Sequence, residues 1–385
     1  MGLSAIDQKA YDAAACIPGR GLTRSKAPGK MFDVGAGPMF SMRSEGAWLN
    51  DINNNRYIDM VLSMGAVTLG HACDGRYSRN VLHSLPDTVE ATAAQAVLKH
   101  VAPWATHVRF TKTGSEATHA AYRIAKRATG RKHVLMGDWA YHGWHQWCER
   151  QEDGKTPEDQ FTFFFPHGGD LGETHTGSPE DVAAVFIEPH RWEPVDVEWL
   201  RAVRDFCTKH GILLVFDEMI YGGRYALGGA TEMFGVVPDL ACFGKAFGNG
   251  ASVAFVVGRE AMEQHGQIVS GTYSGDSGGL QSVVSVLDEY VNIGAIGRLW
   301  RAGRQLRRGM KEAVEVSRGK IAGISGEPVH QRFDFADKAD ARRFSALMAG
   351  RGVLMHPDII NVSTAHDEQV IEAVVDAMLV SAVKL

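Results

Sequence analysis

Short apolar runs alternate with longer amphipathic stretches through the middle of the chain. The runs are rich in β-branched and aromatic residues, which favour strands, and they lie at 133–136, 183–187, 212–216, 239–243 and 253–257. Between the second and third runs, 197–210 carries one apolar stripe at helical spacing and ends before Gly211. Strands that alternate with helices predict an α/β fold with a mainly parallel sheet.

The pattern changes towards the C-terminus, where two long helical stretches flank a β-like segment at 321–335. This change predicts a smaller α+β lobe. A length of 385 residues also suits two domains better than one. We therefore expect an N-terminal arm at 1–45 that forms part of the small domain, a large domain at 46–280 and a small C-terminal domain at 281–385.

Composition narrows the class of protein. The chain is 45% hydrophobic and 22% charged, with a net charge of −5, which is typical of a folded globular protein. The small acidic excess argues against nucleic acid as a partner. The five cysteines form no C-x-x-C pair, which favours a reducing compartment over a disulfide framework or a zinc ribbon. With neither a leader pattern nor a membrane-spanning stretch, we expect a cytoplasmic protein that does not bind membranes.

A capping-box pattern, Thr113-x-x-Glu116, predicts that a helix begins at about Gly114. Gly114 and Ser115 would then present backbone N–H groups and a hydroxyl at the positive end of the helix dipole, where a phosphate can bind. An ordinary capped helix, without a ligand, explains the same segment.

The segment WAYHGWHQW, at 139–147, follows the predicted strand at 133–136. Its rings are expected at the carboxyl edge of the sheet, where open α/β folds bind ligands. His142 and His145 lack a third ligand at a recognisable spacing, so a metal site is disfavoured. Stacking on a flat ligand is the better interpretation, although the three tryptophans could equally fill the core.

Two further features carry chemistry. Asp217 and Glu218 end the run at 212–216, so both carboxylates are expected at the same sheet edge as the aromatic segment. Lys245 follows another predicted strand within GKAFGNG, at 244–250. The nucleotide P-loop pattern fails here, because Asp239 and Ala246 replace the required Gly and Ser or Thr. An anion cradle, stacking rings, a strand-end acid and a lysine are together what pyridoxal phosphate requires of a protein.

These residues resemble the class III, fold type I aminotransferases that use pyridoxal phosphate, and most closely the glutamate-1-semialdehyde aminomutase branch. The resemblance runs over nearly the whole chain. It rests on EGAWLNDINNNRYIDM (45–60), LGH (69–71), RFTKTGSEAT (109–118), YHG (141–143), FDEMIYGGR (216–224), PDLACFGKAFGNG (238–250) and GTYSGD (271–276). It implies the fold type I architecture, with 46–280 as the cofactor-binding domain, and a homodimer with a shared active site.

The resemblance also assigns roles at the reacting end of the cofactor. Lys245 is expected to form the Schiff base with its aldehyde and then to move a proton. Asp217 is expected to pair with the pyridine nitrogen and to keep it protonated. Glu188 is expected near the ring hydroxyl or the substrate.

Other cofactor contacts follow from the same resemblance. Gly114 and Ser115 are expected to bind the phosphate, and Thr272 to reach the phosphate of the neighbouring subunit. Tyr141, with His142 beside it, is expected on one face of the ring and Met219 on the opposite face. On the substrate side, the corresponding positions are Arg24, Ser63 and Met64.

The implied activity is transfer of an amino group from a small-molecule amine donor to an aldehyde or keto acceptor. Three reactions on the same scaffold stay open as alternatives, namely an aminomutase of the glutamate-1-semialdehyde type, a racemase and a lyase. A protein of this fold that binds the cofactor without turnover is a further alternative, against which the presence of both Lys245 and Asp217 argues.

Overall fold

A computed structural model of the chain describes residues 3–13, 28–71, 88–151, 156–174, 177–189 and 196–385. The helices are α1 (Ala5–Ala13), α2 (Leu62–Gly65), α3 (Thr88–His100), α4 (Gly114–Thr129), α5 (Leu171–Thr174), α6 (Val197–His210), α7 (Gly229–Phe234), α8 (Glu260–His265), α9 (Ser277–Ile293), α10 (Ala295–Val316), α11 (Lys338–Ala349) and α12 (Glu368–Val383). The strands are β1 (Ser41–Glu45), β2 (Trp48–Asp51), β3 (Arg56–Asp59), β4 (His107–Thr111), β5 (His133–Gly137), β6 (Thr162–Phe165), β7 (Val182–Ile187), β8 (Leu213–Asp217), β9 (Leu240–Phe243), β10 (Ala254–Gly258), β11 (Ile321–Glu327), β12 (His330–Phe335), β13 (Val353–Leu354) and β14 (Ile360–Asn361).

The chain divides into two compact units, one formed by 1–75 with 297–385 and the other by 76–296. This division differs from the one expected from the sequence at 46–75 and at 281–296. The physical reason in the first case is strand pairing, because β3 pairs in parallel with β13, about 300 residues further along the chain. In the second case, α9 packs on α3 within the 76–296 unit.

The 76–296 unit is built on a seven-stranded sheet with the order β4-β10-β9-β8-β7-β5-β6. Five neighbouring strands of this sheet, β9, β8, β7, β5 and β6, run parallel to one another. Strand β10 is antiparallel to both of its neighbours, β4 and β9. The expected mainly parallel sheet is therefore confirmed. Its central strands are buried along their whole length, as is usual where helices cover both faces.

Helix α4 lies against this sheet and begins where the capping box predicted. The Thr113 hydroxyl accepts from the Glu116 N–H, and the Glu116 carboxylate accepts from the Thr113 N–H. Its alanine-rich face packs on the sheet in one buried cluster. The helix ends at Gly130, whose φ of 70° is a left-handed conformation that glycine adopts readily.

The other unit contains the four-stranded sheet β1-β2-β3-β13 and the three-stranded sheet β11-β12-β14. Antiparallel β11 and β12 occupy the segment predicted to be β-like, and α10 and α12 are the two long helices. Within the described ranges, none of the helices combines the length and the apolar character needed to cross a membrane.

Candidate active site

Three ionisable side chains that could take part in catalysis lie where the neighbouring strands β7, β8 and β9 end. Glu188 follows β7, Asp217 ends β8 and Lys245 stands two residues after β9. The three strands are parallel neighbours, with Ile187 paired to Phe216 and Asp217 paired to Cys242. Their carboxyl ends therefore meet at one edge of the sheet, the position at which open α/β sheets bind ligands.

Asp217 is part of a buried pair with His142. The two residues are 3% and 1% exposed, and His142 Nδ1 lies 2.8 Å from Asp217 Oδ2. The Met219 N–H donates to the other carboxylate oxygen at 3.1 Å. Among the described residues, His142 Nε2 has no hydrogen-bond partner. The carboxylate is therefore held in one orientation by contacts on both of its oxygens.

Glu218 differs from the sequence expectation that both acids would emerge at this edge. It is fully buried, and its carboxylate accepts from the Ala230 N–H at the start of α7. Burial raises the pKa of Glu218 to about 8. Successive residues of a strand point to opposite sides, so only the first acid of the pair serves the candidate site.

Lys245 occupies a strained turn. Its φ is 45°, a left-handed conformation that costs a non-glycine residue on the order of 1 kcal/mol. The preceding Gly244 is packed so closely that a Cβ there would lie 2.9 Å from Met219 Sδ and 3.1 Å from Ala254 Cβ. Strain that the surrounding packing maintains is common at functional sites. The residue under strain here is a half-buried lysine.

The beginning of α4 forms a cradle beside this turn. A Cβ at Gly114 would lie 3.0 Å from Met219 Sδ, so the same methionine packs between Gly114 and Gly244. Gly143 packs directly on Ser115, because a Cβ there would lie 2.5 Å from its Oγ. The first N–H groups of a helix have no partner within the helix, and together with a hydroxyl they suit a phosphate.

Tyr141 supplies an open aromatic surface next to the buried pair. The side chain is 61% exposed, while its backbone N–H donates to Glu188 Oε2 at 3.3 Å. Partial burial raises the pKa of Tyr141, with a smaller contribution from the negative charge of Glu149. The phenol therefore stays neutral at physiological pH and offers a face for stacking on a flat ring.

The three tryptophans of this segment have different environments. Trp147 is buried in the core, Trp144 is 70% exposed, and the Trp139 indole donates to the Glu188 backbone carbonyl at 3.3 Å. The alternatives of core or ligand surface therefore divide between them. Among the residues that the structure describes, no three His, Cys, Asp or Glu side chains cluster as metal ligands.

The remaining candidates are placed elsewhere. Thr272 is exposed on a loop that lines a cavity of about 240 Å³ beside α4. Ser63 and Met64 belong to the short helix α2 of the other unit, where Ser63 has a φ of 53°. Arg24 lies outside the described residues.

Sequence reasoning missed Thr118, whose hydroxyl donates to the His142 carbonyl at 2.5 Å. It therefore ties the YHG segment to α4. The available signal was spacing, since Thr118 stands one helical turn after Ser115 on the same face.

Pyridoxal phosphate fits the groups that are present. A Cβ would crowd Met219 at Gly114 and Ser115 at Gly143, and the first N–H groups of α4 together with the Ser115 hydroxyl offer hydrogen-bond donors for a phosphate. A buried carboxylate, an exposed phenol ring and a lysine suit the ring nitrogen, the ring face and the aldehyde of that cofactor. All of these residues belong to the 76–296 unit.

Comparison with known proteins agrees with a site for pyridoxal phosphate. The family described as aminotransferase class-III matches residues 31–149 and 170–377. The glutamate-1-semialdehyde 2,1-aminomutase of Syntrophobacter fumaroxidans is 31% identical over 416 aligned positions, which cover 95% of this chain and 94% of the relative.

Two solved structures show the same fold. The PLP internal aldimine form of the FumI protein from Sphingopyxis sp. MTA144 has a TM-score of 0.90 at 24% identity, covering 98% of this chain and 96% of that one. An omega-transaminase from Sphaerobacter thermophilus has a TM-score of 0.84 at 23% identity, covering 99% of this chain and 97% of that one. At these identities the likeness concerns the fold.

Proposed function

The chain belongs to the class-III aminotransferase family, and on that premise we propose that Lys245 and Asp217 carry its chemistry. The enzyme uses pyridoxal phosphate and acts on small-molecule amines and carbonyl compounds. The reaction that we propose moves an amino group from a donor amine to an aldehyde or keto acceptor. One observation carries this proposal, namely that the strained Lys245 turn and the buried Asp217–His142 pair lie at one sheet edge.

Pyridoxal phosphate supplies an aldehyde that condenses with amines and a ring that withdraws electrons from the reacting carbon. Lys245 Nζ would provide that amine and would accept and return the proton at the reacting carbon. Asp217 keeps the pyridine nitrogen protonated, because a nearby carboxylate favours the charged form of a basic nitrogen by about 1–3 pKa units. His142 holds Asp217 through Nδ1.

The other residues of the site bind and orient. We assign the phosphate to the N–H groups of Gly114 and to Ser115, with Gly143 allowing the close approach. Tyr141 covers one ring face and Met219 the other. Glu188 acts near the ring hydroxyl or the substrate, and its carboxylate already fixes the backbone of Tyr141.

We also propose that the enzyme is a homodimer in which Thr272 of one subunit binds the phosphate held by the other. The exposure of Thr272 and of the neighbouring Tyr273 supports this proposal, since both side chains are open to a second copy. We propose a cytoplasmic location. Ser63, Met64 and Arg24 stay assigned to the substrate.

An aminomutase is the second candidate. The 31% identical relative, which aligns with 95% of this chain, is named glutamate-1-semialdehyde 2,1-aminomutase. In that case the amino group would move within one molecule, and no separate acceptor would be needed. Every contact assigned above would be the same in both reactions.

The decisive experiment follows the cofactor absorption of the purified holoenzyme. We expect wild type to show the yellow band of lysine-bound cofactor, and amino donors to convert it stably until a keto acceptor is added. Lys245→Ala should lack the lysine-bound band and lose turnover by several orders of magnitude. Lys112→Ala is a matched control, because Lys112 pairs with Asp276 rather than with the sheet edge.

Three outcomes contradict the proposal in different ways. Absence of the band in wild type would favour a protein without this chemistry. A band that converts and returns without an acceptor would favour the aminomutase. Substantial turnover by Lys245→Ala would remove Lys245 from its role.

A further inference from the structure

One face of α4 holds the irregular segment at 139–148 by successive contacts along the helix. Ser115 packs against Gly143, and the Thr118 hydroxyl donates to the His142 carbonyl. Positions 115, 118, 119 and 122 are spaced i, i+3, i+4 and i+7, so they form one stripe of the helix. The first two contacts involve groups next to the cofactor cradle.

The next two contacts along this stripe are ring stacks. The rings of His119 and His145 have centroids 4.6 Å apart and an interplanar angle of 26°. Tyr122 and Trp147 stack at 4.8 Å and 18°. Trp144 covers the outer face of His145 at 5.2 Å and 11°. The stripe therefore ends in a column of nearly parallel rings.

Each of the two histidines buries one ring nitrogen. His119 Nδ1 and His145 Nε2 are both buried, and neither has a hydrogen-bond partner among the described residues. A proton added to either buried nitrogen would place an N–H donor and a positive charge where nothing accepts them. Such a group is costly to bury.

We propose that the His119–His145 and Tyr122–Trp147 stacks are positioning contacts that hold Tyr141 and His142 for cofactor binding, and that protonation of the histidine pair releases this segment. The inference rests on the proposed function for its consequence, because Tyr141 and His142 are there assigned to the cofactor ring and to Asp217. The stacks themselves are independent of that function.

The surroundings of His119 favour its neutral form. Burial, the neighbouring His145 and the cationic Arg123 lower the pKa of His119 from its ordinary value of 6.5. His119, His145 and Arg123 all line the cavity of about 240 Å³ beside α4. Its other titratable residues are Lys112, which is paired with Asp276, Glu116, which caps α4, and Tyr273 on the facing loop. Glu149 follows on the segment itself.

The sign of the pH dependence follows from this direction. His119 binds a proton more readily when the segment is released, because its pKa is lowered in the stack. The stack is therefore complete above about pH 6.5 and weakens as the pH falls below that value.

The test uses His119→Phe and His145→Phe, each of which keeps a stacking ring and removes one of the two protonatable rings. Near-UV circular dichroism of the cofactor-free protein reports the order of its tryptophans, among them Trp144 and Trp147. Affinity for pyridoxal phosphate, measured by equilibrium titration on both sides of pH 6.5, reports the consequence. His210→Phe is the control, since His210 contacts Phe206 at the end of α6.

We expect wild type and His210→Phe to lose the ordered tryptophan signal in mild acid, and the other two Phe variants to retain more of it. The acid-induced loss of cofactor affinity should be larger in wild type than in either of these variants. His119→Ala, which removes the stacking as well, should weaken binding about tenfold at every pH.

Equal pH dependence in wild type and in both Phe variants would overturn the inference, as would Phe variants that fold but fail to bind above pH 6.5. Either ring can be tested alone, so a folding defect in one variant does not end the test. Failure of the proposed function is recognised separately, because wild type would then not bind the cofactor at any pH. The tryptophan signal needs no cofactor.

Discussion

The two sides of the candidate site differ in how completely this chain satisfies them. On the inner side, at the ends of β7, β8 and β9, Asp217 and His142 are buried and bonded to each other. On the outer side, beside α4, large aromatic surfaces stay open: Tyr141 and Tyr273 are each 61% exposed and Trp144 is 70% exposed. On the inner side the two groups hold each other by a hydrogen bond, whereas the outer side offers aromatic surfaces that the described residues leave uncovered.

This difference separates two kinds of function. Groups that must keep a defined charge are placed where water is excluded and their partners are fixed, because electrostatic effects are strongest there. Groups that meet a ligand or, as we propose, a second subunit stay accessible. Substitutions on the inner side should therefore change rates or stability, and those on the outer side should change affinity.

The largest effect is expected for Asp217→Asn, which keeps the size of the side chain and removes its charge. Without the carboxylate the ring nitrogen loses its proton, and we expect kcat/KM to fall by about 10²–10⁴ while cofactor is still bound. Steady-state kinetics on a protein with its full cofactor content would measure the loss. A decrease of less than about tenfold would place the decisive acid elsewhere.

The neighbouring acid tests whether proximity alone explains such a loss. Glu218 is as buried as Asp217 but is bonded to the Ala230 N–H, so Glu218→Gln should leave the chemistry nearly unchanged. Its effect should appear in stability. Burial raises the pKa of Glu218 from 4.5 in the unfolded chain to about 8 in the folded protein. The stability that the bound proton contributes is therefore complete below pH 4.5 and is lost as the pH rises through about 8.

Between pH 6 and pH 8, wild type should thus lose about 2–3 kcal/mol more stability than Glu218→Gln, since one pKa unit corresponds to about 1.4 kcal/mol. Urea unfolding and the thermal midpoint, recorded for both proteins across this range, would measure the difference. Parallel pH profiles would mean that Glu218 is ionised in the folded protein. A large loss of turnover by Glu218→Gln would show that the two acids act together.

Local signals predicted some elements to the residue. Helix α6 occupies 197–210 as expected, because the Asp196 cap and Gly211 are both written in the sequence. Helix α4 begins at Gly114 because Thr113 and Glu116 form the predicted capping box. The placement of Lys245 and Asp217 at one sheet edge followed from the order of apolar runs, since parallel strands share an edge.

Other features depended on pairing that a single sequence does not display. The reversed direction of β10 leaves no trace in its own apolar pattern. Burial of Glu218 depends on a backbone N–H 12 residues further along the chain. The stack of His119 on His145 required the path of an irregular segment across α4. In each case the missing information was tertiary geometry.

The smallest predicted effect lies on the outer side and tests whether a second subunit completes it. If Thr272 donates one hydrogen bond to the phosphate of the neighbouring subunit, Thr272→Ala should weaken cofactor affinity by only about 2–10-fold, the usual range for a single hydrogen bond. Ser274→Ala is a control, since Ser274 lines the same cavity.

Mixing the Thr272→Ala chain with a Lys245→Ala chain makes this prediction specific. In a mixed dimer the only site with Lys245 belongs to the Thr272→Ala subunit, and its partner supplies an intact Thr272. If the hydroxyl acts across the interface, that site has wild-type affinity. If Thr272 acts within its own subunit, the affinity stays at the level of the Thr272→Ala variant. Titration of an isolated mixed dimer therefore decides between an outer side that one chain completes and one that needs two.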